Sequence, residues 1–422
     1  MIVEKKQRAK ILLIAYACRP GESSERQIGW HWANLIQRHH DVTVLTRETH
    51  RPFIENHLAS RADDAPTPEF IYFDLPAWAA RFKKGDRGLY VYYALWSFFA
   101  ILRTRRMNEG GRWQITHFLT FGTLIWPQFA FLMNTAYLLG PVGGGERIPL
   151  SLRKSFGYGG QLKILARRLV QKMLVLNPIY WANLAQADRI FVRTKETLEM
   201  LPARYHGKTK LLLETAISLD QTQLDTPIRD NEKLEIVSVG RLIASKFNPL
   251  MLEALATFKA EWKKPFRVTI IGDGPERENL EAQRDKLGLR EVEFVGKKSS
   301  DEVFAELRRS DIYYSTTMKE GGTWAFFEAI ACYLPIVCLK VNGPDMIVGE
   351  GCGIKVPPIS YKQTRDALAR GVLALAQDPL LRADYAERAR AHVEQTYSWD
   401  QVSMHINITY AELLAQEKSS SR

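Results

Sequence analysis

The sequence predicts an α/β protein of two doubly wound, Rossmann-like domains, and three observations predict it. Strand-length apolar runs alternate with helix-length amphipathic segments almost throughout the 422 residues, the pattern of βαβ units and parallel sheets. That length exceeds one ordinary hydrophobic core and calls for two or three domains. The polar stretch Asp220 to Lys233, with Pro227 inside it, precedes a fresh strand and reads as a linker.

In chain order, the front half offers strands at Ile11–Ala17, Val42–Thr46, Phe70–Leu75, Gln114–Phe118, Ala136–Gly140, Arg189–Arg193 and Lys210–Leu213. The back half offers Leu234–Val239, Arg267–Ile271, Val292–Val295, Ile312–Ser315, Ile336–Leu339 and Gly353–Val356. Helices are expected at about 248–260, 276–288, 301–309, 323–332, 362–377 and 380–393, with a last one from Trp399 to about Ala415. The domains are therefore 1–222, 223–395 and a closing helical segment at 396–422. Open α/β sheets bind ligands outside the carboxyl ends of their strands, so two such domains imply a cleft lined by strand ends.

Composition narrows the class. Hydrophobic residues make up 46% and charged residues 25% of the chain, as in a folded water-soluble protein. Cys18, Cys332, Cys338 and Cys352 lack metal-ligand spacing and sit mostly in apolar runs, so buried, reduced thiols are expected. The first apolar run, Ile11 to Cys18, is short, precedes Arg-Pro-Gly and lacks a cleavage pattern, so it reads as a strand and not a secretory leader. Leu89 to Leu102 is too short to span a bilayer, and Leu119 to Leu139 is interrupted by Pro127, Gln128 and Asn134.

The net charge of +11 is unevenly placed: residues 1–214 hold 31 Lys and Arg against 17 acids, and the remainder 27 against 30. Arg81, Lys83, Lys84, Arg87, Arg103, Arg105 and Arg106 surround an aromatic run at 89–99, opposed only by Asp86. Between Leu150 and Asn177 stand Arg153, Lys154, Lys163, Arg167, Arg168 and Lys172 with no acid. Cations beside apolar and aromatic groups suit an anionic membrane surface, the alternative being a solvated helix face. No nucleic-acid-binding motif accompanies them, and nucleic acid is not an expected partner.

The stretch Glu320-Gly321-Gly322-Thr323-Trp-Ala-Phe-Phe-Glu328 lies between strand-like runs and reads as a glycine turn leading into a short helix. Eight residues at about 100° each put both carboxylates on roughly one side, beside a helix start whose N–H groups attract anions. Carboxylates accept hydrogen bonds from sugar and ribose hydroxyls, so a nucleotide-sugar fits the set. The rival for the pair alone is two glutamates spaced by chance. Three further segments close strands: Gly240-Arg241 through Lys246, Ile271-Gly272-Asp-Gly274-Pro275, and Phe294-Val-Gly296. A nicotinamide enzyme is disfavoured, because no G-x-G-x-x-G follows the first strand.

In these residues the back half resembles the family 4 retaining glycosyltransferases of GT-B fold, with G-R-L followed by Lys, G-x-G-P, the F-x-G turn and E-x7-E leading into E-A-x-A-C-x-L-P-x-V. The front half resembles a bacterial exopolysaccharide subgroup at Tyr16 to Gly21, Gly29-Trp30, Asp41 to Thr46 and Leu139 to Glu146. The resemblance implies a metal-independent enzyme with no cofactor, using a UDP- or GDP-sugar as co-substrate. Arg241, Lys246 and the helix start would stabilise the departing diphosphate. Glu328 would hold the ribose, Glu320 the transferred sugar, and the backbone around Phe294 to Gly296 with Lys297 the base. Gly21 would let the front loop approach the phosphates. Gly240, Gly272 and Gly274 would shape the donor side.

His117 is the candidate polar group near the transferred sugar, although the usual second histidine position holds Leu119. Gly143, Gly144, Gly145 and Glu146 form a candidate donor or acceptor loop, or simply a tight turn. The pair Gly322-Thr323 replaces the aromatic and glycine usual in the family; the Thr323 hydroxyl is expected to cap the helix. The implied function is sugar transfer to a lipid-linked, polyprenyl-diphosphate glycan in cell-surface polysaccharide assembly, at the inner face of the plasma membrane on the cytoplasmic side. A GT-B epimerase or hydrolase without an acceptor, or a non-catalytic nucleotide-sugar-binding scaffold, stands as the alternative.

Overall fold

The computed structural model describes residues 8–21, 25–61, 65–80, 88–218, 232–247 and 249–420. The cluster Arg81 to Arg87 and the linker residues 220–231 lie outside the described residues. Two compact units emerge, the first from residues 1–145, 170–214 and 402–422 and the second from 146–169 and 215–401.

The first unit is built on seven parallel strands: β1 (Lys10–Ala15), β2 (Asp41–Thr46), β3 (Glu69–Tyr72), β4 (Ile115–Thr120), β5 (Ala136–Val142), β6 (Arg189–Val192) and β7 (Thr209–Leu211). They lie in the order β3-β2-β1-β4-β5-β6-β7. The inner strands, buried on both faces as a parallel sheet requires, form the core with Trp96 and Ile101 of the Leu89–Met107 helix, while the edge strands β3 and β7 are more exposed.

The second unit holds β8 (Leu234–Val239), β9 (Phe266–Ile271), β10 (Val292–Gly296), β11 (Ile312–Ser315), β12 (Ile336–Leu339) and β13 (Ile354–Val356), in the order β10-β9-β8-β11-β12-β13. Leu250, Leu255 and Phe258 of the Pro249–Glu261 helix and Leu368, Val372 and Leu375 of the Tyr361–Gln377 helix seal this sheet. Ser299 and Glu302 close a capping box at the start of the Ser300–Arg309 helix, satisfying two of its first N–H groups.

Each of the thirteen segments read as a strand is one, with ends shifted by up to three residues. The segment 146–169 is a correction to the 1–222 assignment: Leu152, Phe156 and Ile164 join the core of the second unit. The helix Asn342–Ile347 was not anticipated. Both sheets reverse their winding, at β1/β4 and at β8/β11. Such switch points splay the loops apart and leave a crevice at the strand ends.

Candidate functional site

At the second switch point the loop after β8 runs beside the loop after β11. The Met318 N–H donates to the Ser245 carbonyl at 2.8 Å, and Thr316 Oγ1 donates to the Lys246 carbonyl at 3.4 Å. With both backbones held, Lys246 Nζ lies 3.1 Å from Glu320 Oε1, each side chain roughly a quarter exposed at 24% and 21%. Arg241, five residues before Lys246, is exposed on the same loop.

The three strand-end turns form one continuous floor. The Gly240 N–H donates to the Ile271 carbonyl at 2.9 Å and the Gly272 N–H to the Gly296 carbonyl at 2.8 Å. Gly272 has φ +138°, and a Cβ there would come within 1.9 Å of the Gly240 carbonyl oxygen, so no other residue fits. At Gly274 a Cβ would lie 2.3 Å from the Leu242 oxygen.

The third turn differs in detail from expectation. The Phe294 ring is buried in the core, and its carbonyl already accepts a hydrogen bond from Arg277 Nη2 at 3.0 Å. Gly296 and the exposed Lys297 remain at the rim. Arg277, also bonded to Glu281 at 2.9 Å, borders this turn and was missed by sequence reasoning. Its position just after Gly274-Pro275 was the available signal.

The Glu320 turn is fastened from behind. The Gly343 N–H donates to the Glu320 carbonyl at 3.0 Å, and a Cβ at Gly343 would come 1.7 Å from the Gly321 oxygen. Asn342, also missed, bonds through Nδ2 to the Met318 carbonyl at 2.9 Å and accepts from the Arg147 N–H at 3.1 Å. The turn dipeptides Asn-Gly and Gly-Pro were its signal. Gly322 faces Thr215, whose Oγ1 would lie 1.9 Å from a Cβ, which explains why no aromatic stands there.

Thr323 precedes the helix Trp324–Ala331 but makes no side-chain cap bond, contrary to expectation, and the residue is buried. The Thr323 carbonyl instead accepts from the Phe326 N–H at 3.2 Å. Glu328 is half-buried in this helix, and burial pushes its pKa up to about 7. Beneath lies Tyr313, whose hydroxyl donates to the Val239 carbonyl at 3.2 Å. Burial drives its pKa upward, and the charges of Glu328 and Glu320 push it further. Both glutamates thus act on a single tyrosine.

In the first unit, His117 is corrected. Strand β4 continues to Thr120, which leaves His117 inside the sheet and fully buried. Its Nε2 lies 2.6 Å from the Gly140 carbonyl and its Nδ1 2.7 Å from the Tyr410 hydroxyl. A carbonyl can only accept, so Nε2 carries the proton and Nδ1 accepts from Tyr410. Burial lowers its pKa to about 4, which keeps the ring neutral, and both nitrogens are occupied. It ties the sheet to the Trp399–Ser420 helix and offers nothing to a sugar.

Gly21 has φ +75° and open space around it, as a phosphate-approaching turn would need. Gly143 joins the loop after β4, its N–H donating to the Gly122 carbonyl at 2.8 Å. Gly144 accepts from Gln171, and Gly145 packs against the Glu196 backbone. Glu146 is buried. Glu25, not anticipated, accepts from the Gly122 N–H at 3.1 Å, and burial raises its pKa.

All four cysteines are buried and none is in a disulfide. Among the described residues no three His, Cys, Asp or Glu side chains are placed to hold a metal ion, and no helix is long and apolar enough to cross a membrane.

Residues 221–392 match the family model of glycosyl transferases group 1. The uncharacterized glycosyltransferase MJ1069 of Methanocaldococcus jannaschii is 25% identical over 247 residues, 57% of this chain and 60% of that protein. The phosphatidylinositol N-acetylglucosaminyltransferase gpi3 subunit of Schizosaccharomyces pombe is 26% identical over 51% of this chain and 46% of its own length. The D-inositol 3-phosphate glycosyltransferase of Corynebacterium glutamicum is 25% identical over 60% of this chain and 62% of that protein. The chain thus spans about half the length of the curated relatives it matches.

Among solved structures, Anabaena Alr3699/HepE in complex with UDP superposes with a TM-score of 0.63 at 14% identity, covering 96% of this chain and all of that one. The sucrose-phosphate synthase of Thermosynechococcus elongatus gives 0.61 at 17% identity over 97% of this chain and all of its own. The two Rossmann-like sheets are the GT-B fold that these solved structures share, and residues 221–392, which carry the Lys246, Glu320 and Glu328 site, match the glycosyl transferases group 1.

Proposed function

We propose that the protein is a retaining, metal-independent glycosyltransferase that moves a sugar from a UDP- or GDP-sugar to a lipid-linked glycan. The observation that carries this is the Lys246–Glu320 ion pair at the β8/β11 switch point, with Glu328 on the helix that follows Glu320. Charge develops on the β-phosphate as the nucleoside diphosphate leaves. Fixed cations and helix N–H groups stabilise such charge strongly in a water-poor crevice. Lys246 supplies a point charge, and Arg241 can chelate the diphosphate through its planar fork.

Glu328 accepts the ribose hydroxyls, and Glu320 orients the transferred sugar while its partner Lys246 turns to phosphate. The acceptor hydroxyl attacks from the face the leaving group departs, and the phosphate takes its proton. The name of one relative supports a lipid acceptor, the fission yeast protein being named for phosphatidylinositol; the corynebacterial one is named for inositol 3-phosphate, which carries no lipid. The basic front of the sequence supports work at an anionic membrane, which we place at the inner face of the plasma membrane in polysaccharide assembly.

A panel of UDP- and GDP-sugars incubated with polyprenyl-diphosphate glycans tests this. Transfer that needs both donor and acceptor, and that is lost in Glu320→Gln, supports it. Turnover without an acceptor points to an epimerase or hydrolase, and donor binding without any turnover to a scaffold.

A further inference from the structure

The helix Tyr158–Met173 is amphipathic the wrong way round for a helix on a water-soluble protein. Such helices turn an apolar stripe inward and polar residues outward. Here the inward side carries Gln161, Ile164, Arg168 and Gln171: Gln161 donates to the Phe156 carbonyl at 3.0 Å, Arg168 to the Ile148 carbonyl at 3.0 Å, and Gln171 to Gly144. The outward side carries Tyr158, Leu162, Leu165, Leu169 and Met173, at 88%, 60%, 46%, 59% and 51% exposure. Their spacing of four, three, four and four residues is that of one helical face.

An isolated surface leucine needs no explanation, but a continuous five-residue stripe does. From position 147 to 187 the chain has Arg147, Arg153, Lys154, Lys163, Arg167, Arg168 and Lys172 and no acid. Lys154, Lys163 and Lys172 are exposed. An apolar face bordered by cations alone is the composition that seats a helix at the level of lipid headgroups, with leucines in the acyl boundary and lysine stems reaching to phosphate.

We propose that the Tyr158–Met173 helix lies in the plane of an anionic bilayer leaflet, with Leu162, Leu165 and Leu169 inserted and Lys163 and Lys172 on the headgroups. This goes beyond a peripheral location, since it names the inserting element. It stands apart from the sugar-transfer proposal, because the binding it predicts needs no nucleotide. The Leu89–Met107 helix also exposes Tyr90, Val91, Leu95 and Phe99, but its inner face packs Trp96, Ala100 and Ile101 into the core, whereas the Tyr158–Met173 helix turns polar Gln161, Arg168 and Gln171 inward.

Flotation with vesicles of phosphatidylcholine and phosphatidylglycerol, against pure phosphatidylcholine, tests the assignment on the full chain. The variant Leu162→Ser/Leu165→Ser/Leu169→Ser is expected to lose at least about tenfold in partitioning to the anionic vesicles, with an unchanged melting temperature because the three side chains are exposed. Lys163→Gln/Lys172→Gln should weaken binding severalfold and flatten its salt dependence. A dye on Leu165→Cys should shift to shorter wavelength on anionic vesicles, the native thiols being buried. Equal vesicle binding by the triple variant, or a dye that stays in water, overturns the proposal. So does a concentration-dependent dimer that the triple substitution dissociates while the parent ignores vesicles, because the face would then belong to a second copy.

Discussion

Lys246 and Glu320 are joined by a 3.1 Å ion pair across the loops that follow β8 and β11. In the proposed reaction, Lys246 faces a diphosphate and Glu320 a sugar, and the pair holds these two charges together. On that proposal a donor separates them, exchanging one charge pair for contacts to phosphate and to hydroxyls.

For that reason stability and activity should part company at Lys246. Partly exposed ion pairs contribute roughly 0–1 kcal/mol, so Lys246→Ala should unfold at nearly the parent's denaturant midpoint. A cation aimed at developing charge is worth on the order of 10²–10³ in kcat, so turnover should fall by about that factor. Urea unfolding and steady-state kinetics on one preparation check both halves.

Glu328 sets a pH dependence. Its carboxyl has a pKa of about 7 in the folded protein against 4.5 for a free glutamate, so between those values the native state binds more protons than the unfolded one. Stability then falls as pH rises from 4.5 to 7, by up to ~3 kcal/mol from this group. Ribose hydroxyls donate to the ionised form, so nucleotide affinity should rise with pH across 7. Glu328→Gln should remove both slopes, read by chemical unfolding and by titration calorimetry.

His117 has the opposite sign. A pKa of about 4 against 6.5 means that the unfolded chain binds the extra proton, so its contribution is present above pH 6.5 and is lost as pH falls toward 4. His117→Leu leaves the Gly140 carbonyl and the Tyr410 hydroxyl without this partner and should cost about 2–4 kcal/mol. The folded fraction should keep donor KM within about twofold, since both ring nitrogens already have protein partners.

Gly343→Ala should damage the site without touching a ligand. Its Cβ would sit 1.7 Å from the Gly321 oxygen, forcing the Glu320 turn to move. A displacement of about 1 Å in a positioning group can cost on the order of 10²-fold in rate, with a stability loss of about 1–3 kcal/mol. A melting curve and kcat together separate this from general misfolding.

The strands and the glycine turns that close them were legible because their signals are local. Apolar runs set β1 to β13, and Gly240, Gly272 and Gly274 stand where backbone meets backbone. What failed depended on packing partners distant in sequence. Ile164 and Phe156 join the core of the second unit, yet nothing in the charge or length of 146–169 marks which sheet they cover. His117 looked like a strand-end ligand until Tyr410, 293 residues away, took its Nδ1. Thr323 has the chemistry of a cap, yet it is buried and makes no side-chain cap bond.

The most direct test of the central claim is calorimetric titration of UDP and GDP into the parent, Lys246→Ala and Glu328→Gln. One nucleotide is predicted to bind the parent, and each variant to lose about tenfold or more in affinity. If neither nucleotide binds, or if both variants bind as tightly as the parent, the β8/β11 crevice is not a nucleotide-sugar site.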